Sequence, residues 1–436
     1  MGDYTSLNAG SGGDNIAADE IGAIKHQRVK VQYGEDGTAT DASVTNPLPV
    51  VPQLNTDAFG RHRVSEPTPL FDSKLLHDKN PFVWGEAINN NTGNATSTYS
   101  PENACVTMYV EDGDRIIRQS RMHFNYQPGK SQLSYLTGVL GSGAGVTSRI
   151  GLFHDDGVFF EMDDNIMYVV VRKNNVDTRV AQANWNTDTM DGTGPSGITI
   201  DFTKAQIFFI DFEWLGVGTV RYGFAVDGQF YVCHKAHHAN TVTSVYMGSP
   251  NLPVRYEIFS VGASASMDQI CSTVMSEGGA QENGSTFYVT SAENIGGMVL
   301  SSAWQALVGV RLENGHYDGI VKPVGLSLIG DGAGAIEWAL MVNPTIAGTF
   351  NYGTYDLTCI QSGVGVAANV VTGPEQTIIG GFFESDKDGG SQNSLFNSPR
   401  WLGTIISGAH EEWILAARAL AGTPTAWGAM TLKTLH

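Results

Sequence analysis

The chain has 436 residues, a length that suits about two or three domains. Its 42% hydrophobic and 10% aromatic content excludes a disordered chain. A net charge of −19 argues against nucleic acid or an anionic membrane surface as a direct partner, because phosphate contacts need clustered Lys and Arg.

Residues 1–20 are small and polar, and Asp14 to Ile21 has the composition of one helical turn. Gln27 to Val50 then alternates apolar and polar residues, turns at Gly34-Glu35-Asp36-Gly37, and leaves through Asn46-Pro47-Leu48-Pro49. This predicts a two-stranded ribbon with an extended exit, since each proline fixes φ and disfavours helix before it. A lone hairpin is marginal in water, so residues 1–56 read as an arm that holds on to something else. Arg28 and Lys30 share one face of the ribbon and Val29 and Val31 the other. Val29 and Val31 are therefore expected to be covered only on docking, by strand addition to a partner sheet.

Residues 57–265 carry a dense strand pattern. Cys105 to Val110, Arg115 to Ser120 and Ser131 to Leu140 are followed by strands at about 8–12-residue spacing, which is the signature of a sandwich. Gln127-Pro128-Gly129-Lys130 has Pro and Gly at the central positions of a type II turn. Asp227-Gly228 between alternating apolar runs predicts a tight hairpin. Residues 266–285 read as a linker holding one further strand, Met267 to Met275, and residues 286–436 as a second, smaller β-sandwich. Within it, Glu411 to Leu420 has helical propensity but is bracketed by Gly408 and Gly422-Thr423-Pro424, which favours a strand. The expected fold is thus all-β: an extended arm or hairpin, a lectin-like jelly roll, and a second sandwich.

The chemistry-bearing clusters are sparse. Cys105, Cys233, Cys271 and Cys359 lie far apart with no CxxC pair, which predicts free thiols. Cys233-His234 with His237-His238 is a ligand-like cluster, but its spacing fits no standard zinc site and it falls at a strand end. Asp155-Asp156-Gly157 and Asp163-Asp164-Asn165 read as hairpin turns at opposite ends of one strand, and Asp188 and Asp191 as loop residues. Asp211 with Glu213, or Glu411-Glu412, are the only carboxylate pairs that suggest a glycosidase. Two residues apart on a strand, the first pair is about 6.5–7 Å apart between Cα atoms, against roughly 5–5.5 Å between the carboxyl groups of a retaining enzyme. No hydrolase, Walker or dinucleotide motif is present in its proper context, so no enzyme activity, cofactor or metal is expected. Trp185, Tyr246, Trp304, Tyr352, Tyr355, Trp401 and Trp427 lie near turns or polar loops. Trp185, Trp304 and Trp401 are the candidates for facing a glycan. Met1 to Gly13 lacks the basic and apolar stretches of a signal peptide, and no run of about 18 apolar residues exists, so neither secretion nor membrane spanning is expected.

The segment IAADEIG…QRVKVQYGEDGTATD…NPLPV resembles one common at the N-termini of tailed-phage virion proteins. Asp57 to Ser65, Leu70 to Lys74 and Arg121 to Ser131 are similar to blocks shared among phage structural proteins. The resemblance covers about the first 140 residues. It implies a virion protein, assembled in the host cytoplasm, that sits on the capsid as decoration or head fibre or on the tail. Its partners would be other virion proteins, met through Arg28, Val29, Lys30, Val31, Tyr33, Pro47, Leu48 and Pro49. It also implies a homo-oligomer, with a trimer favoured. An alternative is the same anchor carrying a head that binds a host receptor or surface glycan. A polysaccharide depolymerase is the weaker third reading, because no short-period repeat is present to build a β-helix.

Overall fold

The computed structural model describes residues 4–6, 15–21, 24–27, 31–33, 40–43, 58 and 67–435, except 294–295, 317, 355–358, 374–375, 387–389, 396–400, 404–405 and 407–409. The chain divides into two units, Met1–Gln53 and Leu54–His436. In the first, Asn15–Ile21 lies between Tyr4–Ser6 and Ile24–Gln27 in a three-stranded antiparallel sheet. The helical turn expected over 14–21 does not form. Backbone pairing on both sides, Tyr4 with Ala17 and Glu20 with Lys25, takes that stretch into a strand. Gln32–Tyr33 pairs with Thr40–Asp41, and the Gln32 side-chain amide donates to Asp41 Oδ1 at 2.7 Å. Val31 is exposed. Arg28, Val29, Lys30, Pro47, Leu48 and Pro49 fall outside the described residues, as does the side chain of Tyr33.

The second unit is all-β and contains two sandwiches. The first is a jelly roll of two antiparallel sheets. One sheet runs, in spatial order, Val176–Ala181, Ile166–Lys173, Gly157–Asp163, Val146–Phe153, Val254–Ser260, Arg115–Ser120 and Trp84–Asn89. The other runs Gln229–His237, Thr219–Val226, Gln206–Phe212, Gln132–Val139, Ala265–Ser276, Cys105–Val110 and Thr96–Ser100, with Thr68–Lys74 also pairing Ala265–Ser276. The period of two sends alternate residues to opposite faces. Val254, Tyr256 and Ile258 enter the core, while Arg255, Glu257 and Phe259 face outward. Rings bridge the layers: Phe160 of the first sheet meets Phe208 at 5.1 Å and Phe224 at 5.2 Å from the second. Arg118 is buried between the sheets as a strut, donating to Gln269 at 2.5 Å, Glu86 at 2.7 Å and the Lys79 carbonyl at 2.7 Å.

Three hairpins turn on two residues at positive φ, Asp164-Asn165, Asn174-Asn175 and Asp227-Gly228, the geometry that matches the twist of the flanking strands. Gly129 sits at φ 84°, as the Pro-Gly turn requires. The strand expected over Met267 to Met275 forms, as Ala265–Ser276, and it is a central one. Ala265–Ser276 pairs with Gln132–Val139, Cys105–Val110 and Thr68–Lys74, because Met267 and Val274 supply core residues.

In the second sandwich, one sheet is ordered Gly284–Thr290, Thr425–Leu435, Ile320–Asp331 and Gly390–Leu395. It faces a second sheet that includes Trp304–Leu312, Trp413–Gly422, Gly334–Val342 and Gln376–Ser385. Trp413–Gly422 is a strand paired on both sides, as the flanking glycines indicated. Leu307, Leu340, Trp413, Leu415 and Met430 are fully enclosed in the core between them.

The two sandwiches meet at the loop after Arg115–Ser120. Arg121 donates to the fully buried Glu411 at 3.1 Å and to the Pro81 carbonyl at 2.9 Å. Ser249 donates to Asp318 at 2.5 Å. Gly403 lies so close to the Arg121 carbonyl that a Cβ there would collide with it. Among the described residues no helix is long and apolar enough to cross a membrane.

Candidate functional site

Three places gather polar side chains. The first is the outer face of the seven-stranded sheet. Glu257 is fully buried there, yet it points away from the core. Arg115 reaches it at 2.7 Å, Arg255 at 2.9 Å and Arg149 at 3.3 Å. Arg149 and Arg179 both hold Glu161 at 2.6 Å, Arg179 also holds Asp163 at 2.6 Å, and Arg172 holds Asp177 at 2.6 Å. The guanidiniums lie over rings: Arg172 is 4.9 Å from Phe159, Arg255 5.2 Å from Phe153 and Arg179 4.0 Å from Tyr168. Burial raises the Glu257 pKa, but Arg255, Arg115 and Arg149 together outweigh that and hold it below the ordinary carboxylate value. Each of these carboxylates is thus paired with at least one arginine.

The second is a cleft of about 660 Å³ between the edge strands Val176–Ala181 and Gln229–His237. Val169, Val171 and Val180 form its floor with Tyr222, and His234, His237 and His238 line one wall. The Asn186 N–H donates to His234 Nδ1 at 3.2 Å. Burial, then His237, pulls the His234 pKa down to about 4, so the ring is neutral near pH 7. His238 stacks on Tyr246 at 4.0 Å and its Nδ1 meets the Gly218 carbonyl at 2.7 Å. Cys233 points into the core and donates to the Tyr222 carbonyl at 3.3 Å. The His cluster therefore does not converge with its cysteine. Among the described residues no group of three or more His, Cys, Asp or Glu is placed to hold a metal ion.

The third is a cavity of about 280 Å³ where the two sandwiches meet. Asn125 and Gln127 reach it from the loop before Gln132–Val139, Gln281 and Glu282 from the segment joining the sandwiches, and Lys322 and Trp401 from the second sandwich. The local sequence explains the placement of Asn125. Its neighbours Phe124 and Tyr126 are both core residues, and both are held by the opposite segment: the Phe124 N–H donates to the Leu252 carbonyl and the Tyr126 N–H to the Asn251 side chain, each at 3.0 Å. Alternation then turns Asn125 the other way.

The sequence-derived candidates separate. Trp185 is a correction: its ring is buried in the jelly-roll core, 6.1 Å from Phe224, with its N–H bonded to the Val180 carbonyl, and it faces no solvent-borne ligand. Trp304 is half-buried under the Arg418 guanidinium at 4.8 Å. Trp401 lines the junction cavity. Tyr246 is buried, and Tyr355 falls outside the described residues. Asp211 is buried against Arg221 and Ser131, Glu213 accepts from the Thr219 N–H at 3.0 Å, and Glu412 pairs with Arg311 at 3.3 Å. Asn125, Gln281 and Lys322 were not singled out in the sequence. The only signal was one amide between two aromatics in an otherwise alternating stretch.

No protein-family model matches the sequence, and no curated relative does. Solved structures similar to it include a Bacillus licheniformis β-glucanase (10% identity, TM-score 0.31, covering 48% of this chain and 98% of that one). The carbohydrate recognition domain of Emp47p is similar at 9% identity and a TM-score of 0.31, covering 49% of this chain and 97% of that one. So is SCLam, a non-specific endo-β-1,3(4)-glucanase from family GH16, at 12% identity and a TM-score of 0.31, covering 49% and 92%.

Proposed function

We propose that this chain is a structural component of a tailed-phage virion, fixed to the particle through residues 1–53 and displaying its two sandwiches without catalytic activity of its own. The observation that carries this reading is the division of the chain. Residues 1–53 form a unit of short strands in which Ile24 and Val31 leave most of their surface in water. The larger unit closes its cores with its own residues from Leu70 onward. A segment with exposed apolar side chains and short, open strands suits attachment by strand addition to another virion protein. Homo-oligomerisation, with a trimer favoured, belongs to the same proposal.

The test supplies full-length protein, or protein lacking residues 1–53, in trans to cells producing the particle, and bands the particles on a density gradient. Full-length protein is expected in the particle band, and the truncated protein, folded by circular dichroism, in the soluble fraction. Equal banding of both overturns the attachment role of the arm. Absence of both from the band overturns the virion reading.

A further inference from the structure

We propose that the cavity between the two sandwiches is a binding site for a single neutral sugar residue. Its volume of about 280 Å³ lies just below the range of ordinary ligand sites, about 300 to 1,000 Å³. It therefore suits one ring rather than an oligosaccharide cleft.

The chemistry of the lining selects the ligand. Asn125 is more than nine-tenths buried, lines the cavity, and has no hydrogen-bond partner for its side-chain amide among the described residues. The amide opens into the cavity, and a ligand that supplies both a donor and an acceptor can pair with it. A sugar hydroxyl does both. Lys322 is buried and donates to Glu282 Oε1 at 2.6 Å, so cation and anion already neutralise each other at the wall. Among the described lining residues Lys322 and Glu282 are the charged groups and they are paired, while the remaining ammonium N–H groups and the second carboxylate oxygen suit hydroxyl groups. Trp401 adds an indole to the wall, and Leu70 and Leu435 add apolar surface for the C–H faces of a ring. The Gln281 side chain stands on the exposed rim, and its backbone carbonyl accepts from Gln127, which ties the connecting segment to the cavity wall.

This inference does not rest on the virion reading, and its test uses the isolated full-length chain, so the two fail separately. Saturation-transfer NMR is run with methyl α-glucopyranoside, methyl α-galactopyranoside and N-acetylglucosamine, with glucuronate and glucosamine as charged controls. At least one neutral sugar is expected to bind with a Kd of about 1 mM, and the charged controls at least about tenfold more weakly. Trp401→Ala and Asn125→Ala are each expected to weaken binding by about tenfold or more. Gln281→Ala, on the exposed rim, leaves the core untouched and is expected to weaken binding by about threefold. No saturation transfer from any neutral sugar overturns the proposal, as does binding that survives all three substitutions or a charged control that binds as tightly.

Discussion

Replacing Glu257 by Gln removes the charge at the centre of the outer-face lattice while keeping its shape. Three guanidiniums converge on this carboxylate, but they do not contribute equally. The Arg115 side chain is 47% exposed, so solvent screens its pair to about 1 kcal/mol or less. Arg149 and Arg255 are 15% and 7% exposed and carry most of the effect. Leaving such cations without their buried counter-charge costs about 3–5 kcal/mol. For a folded unit of this size class each kcal/mol lowers the melting temperature by about 2–4 °C, so a fall of roughly 6–20 °C is expected at pH 7. The folded carboxylate titrates below its ordinary value, so its contribution is complete above the unfolded pKa of 4.5 and is lost as the pH falls through the lower, folded value. The gap between wild type and Glu257→Gln is therefore constant well above about pH 4.5 and closes in stronger acid. Adding Arg255→Met to Glu257→Gln removes the stranded cation and restores part of the loss. Differential scanning calorimetry at pH 7 and urea titrations down the pH scale read both effects. A deficit under about 1 kcal/mol at pH 7, or a gap that widens in acid, would refute the claim that this lattice is buried and paired.

Burial and the nearby His154 depress the pKa of the enclosed His123 to about 3, so the fold holds it neutral while the unfolded chain protonates near 6.5. Stability is unaffected above about pH 6.5 and falls as pH drops from there toward about 3, by about 2 kcal/mol at pH 5; His123→Leu should flatten that slope in urea titrations. Trp185→Ala should cost about 3–5 kcal/mol of stability through core loss and leave sugar binding by the folded protein unchanged, which unfolding curves and saturation-transfer spectra together decide.

Much of the fold was legible because its signals were local. Asp227-Gly228 and Pro128-Gly129 carry the backbone conformations their turns need, and both turns form at those positions. Asn174-Asn175 makes the same two-residue hairpin without a glycine to mark it, since Asn tolerates positive φ. Met267 to Met275 reads as a strand in the sequence, but the Gly/Ser/Glu-rich residues around Glu277-Gly278-Gly279 hide its place in the jelly roll. The strand is central nonetheless, with Met267 and Val274 pinned in the core and partners on either side. Trp185 shows the opposite failure. Its polar flanks suggested solvent, but the short turn over Gln182–Asn184 folds the ring back onto Phe224. The junction cavity was beyond the sequence, since Asn125, Gln281 and Lys322 are brought together only by the packing of two separately patterned sandwiches.

That packing also explains why the polar groups of the jelly roll divide into two kinds. On the sheet faces the carboxylates are tied to arginines, as Glu161 is to Arg149 and Arg179, so they stiffen strands and are not free to exchange partners. At the junction the Asn125 amide is left open, and the residues around it come from both sandwiches. A site assembled in this way depends on the sandwiches keeping one orientation, because Trp401 and Lys322 line it from one and Asn125 from the other. The buried Arg121–Glu411 pair and the close approach of Gly403 to the Arg121 backbone supply that restraint, and both act on the loop that presents Asn125. The loop from Arg121 to Lys130 therefore both contacts the second sandwich and forms one wall of the cavity, so the packing of the two sandwiches and the shape of the proposed site share residues.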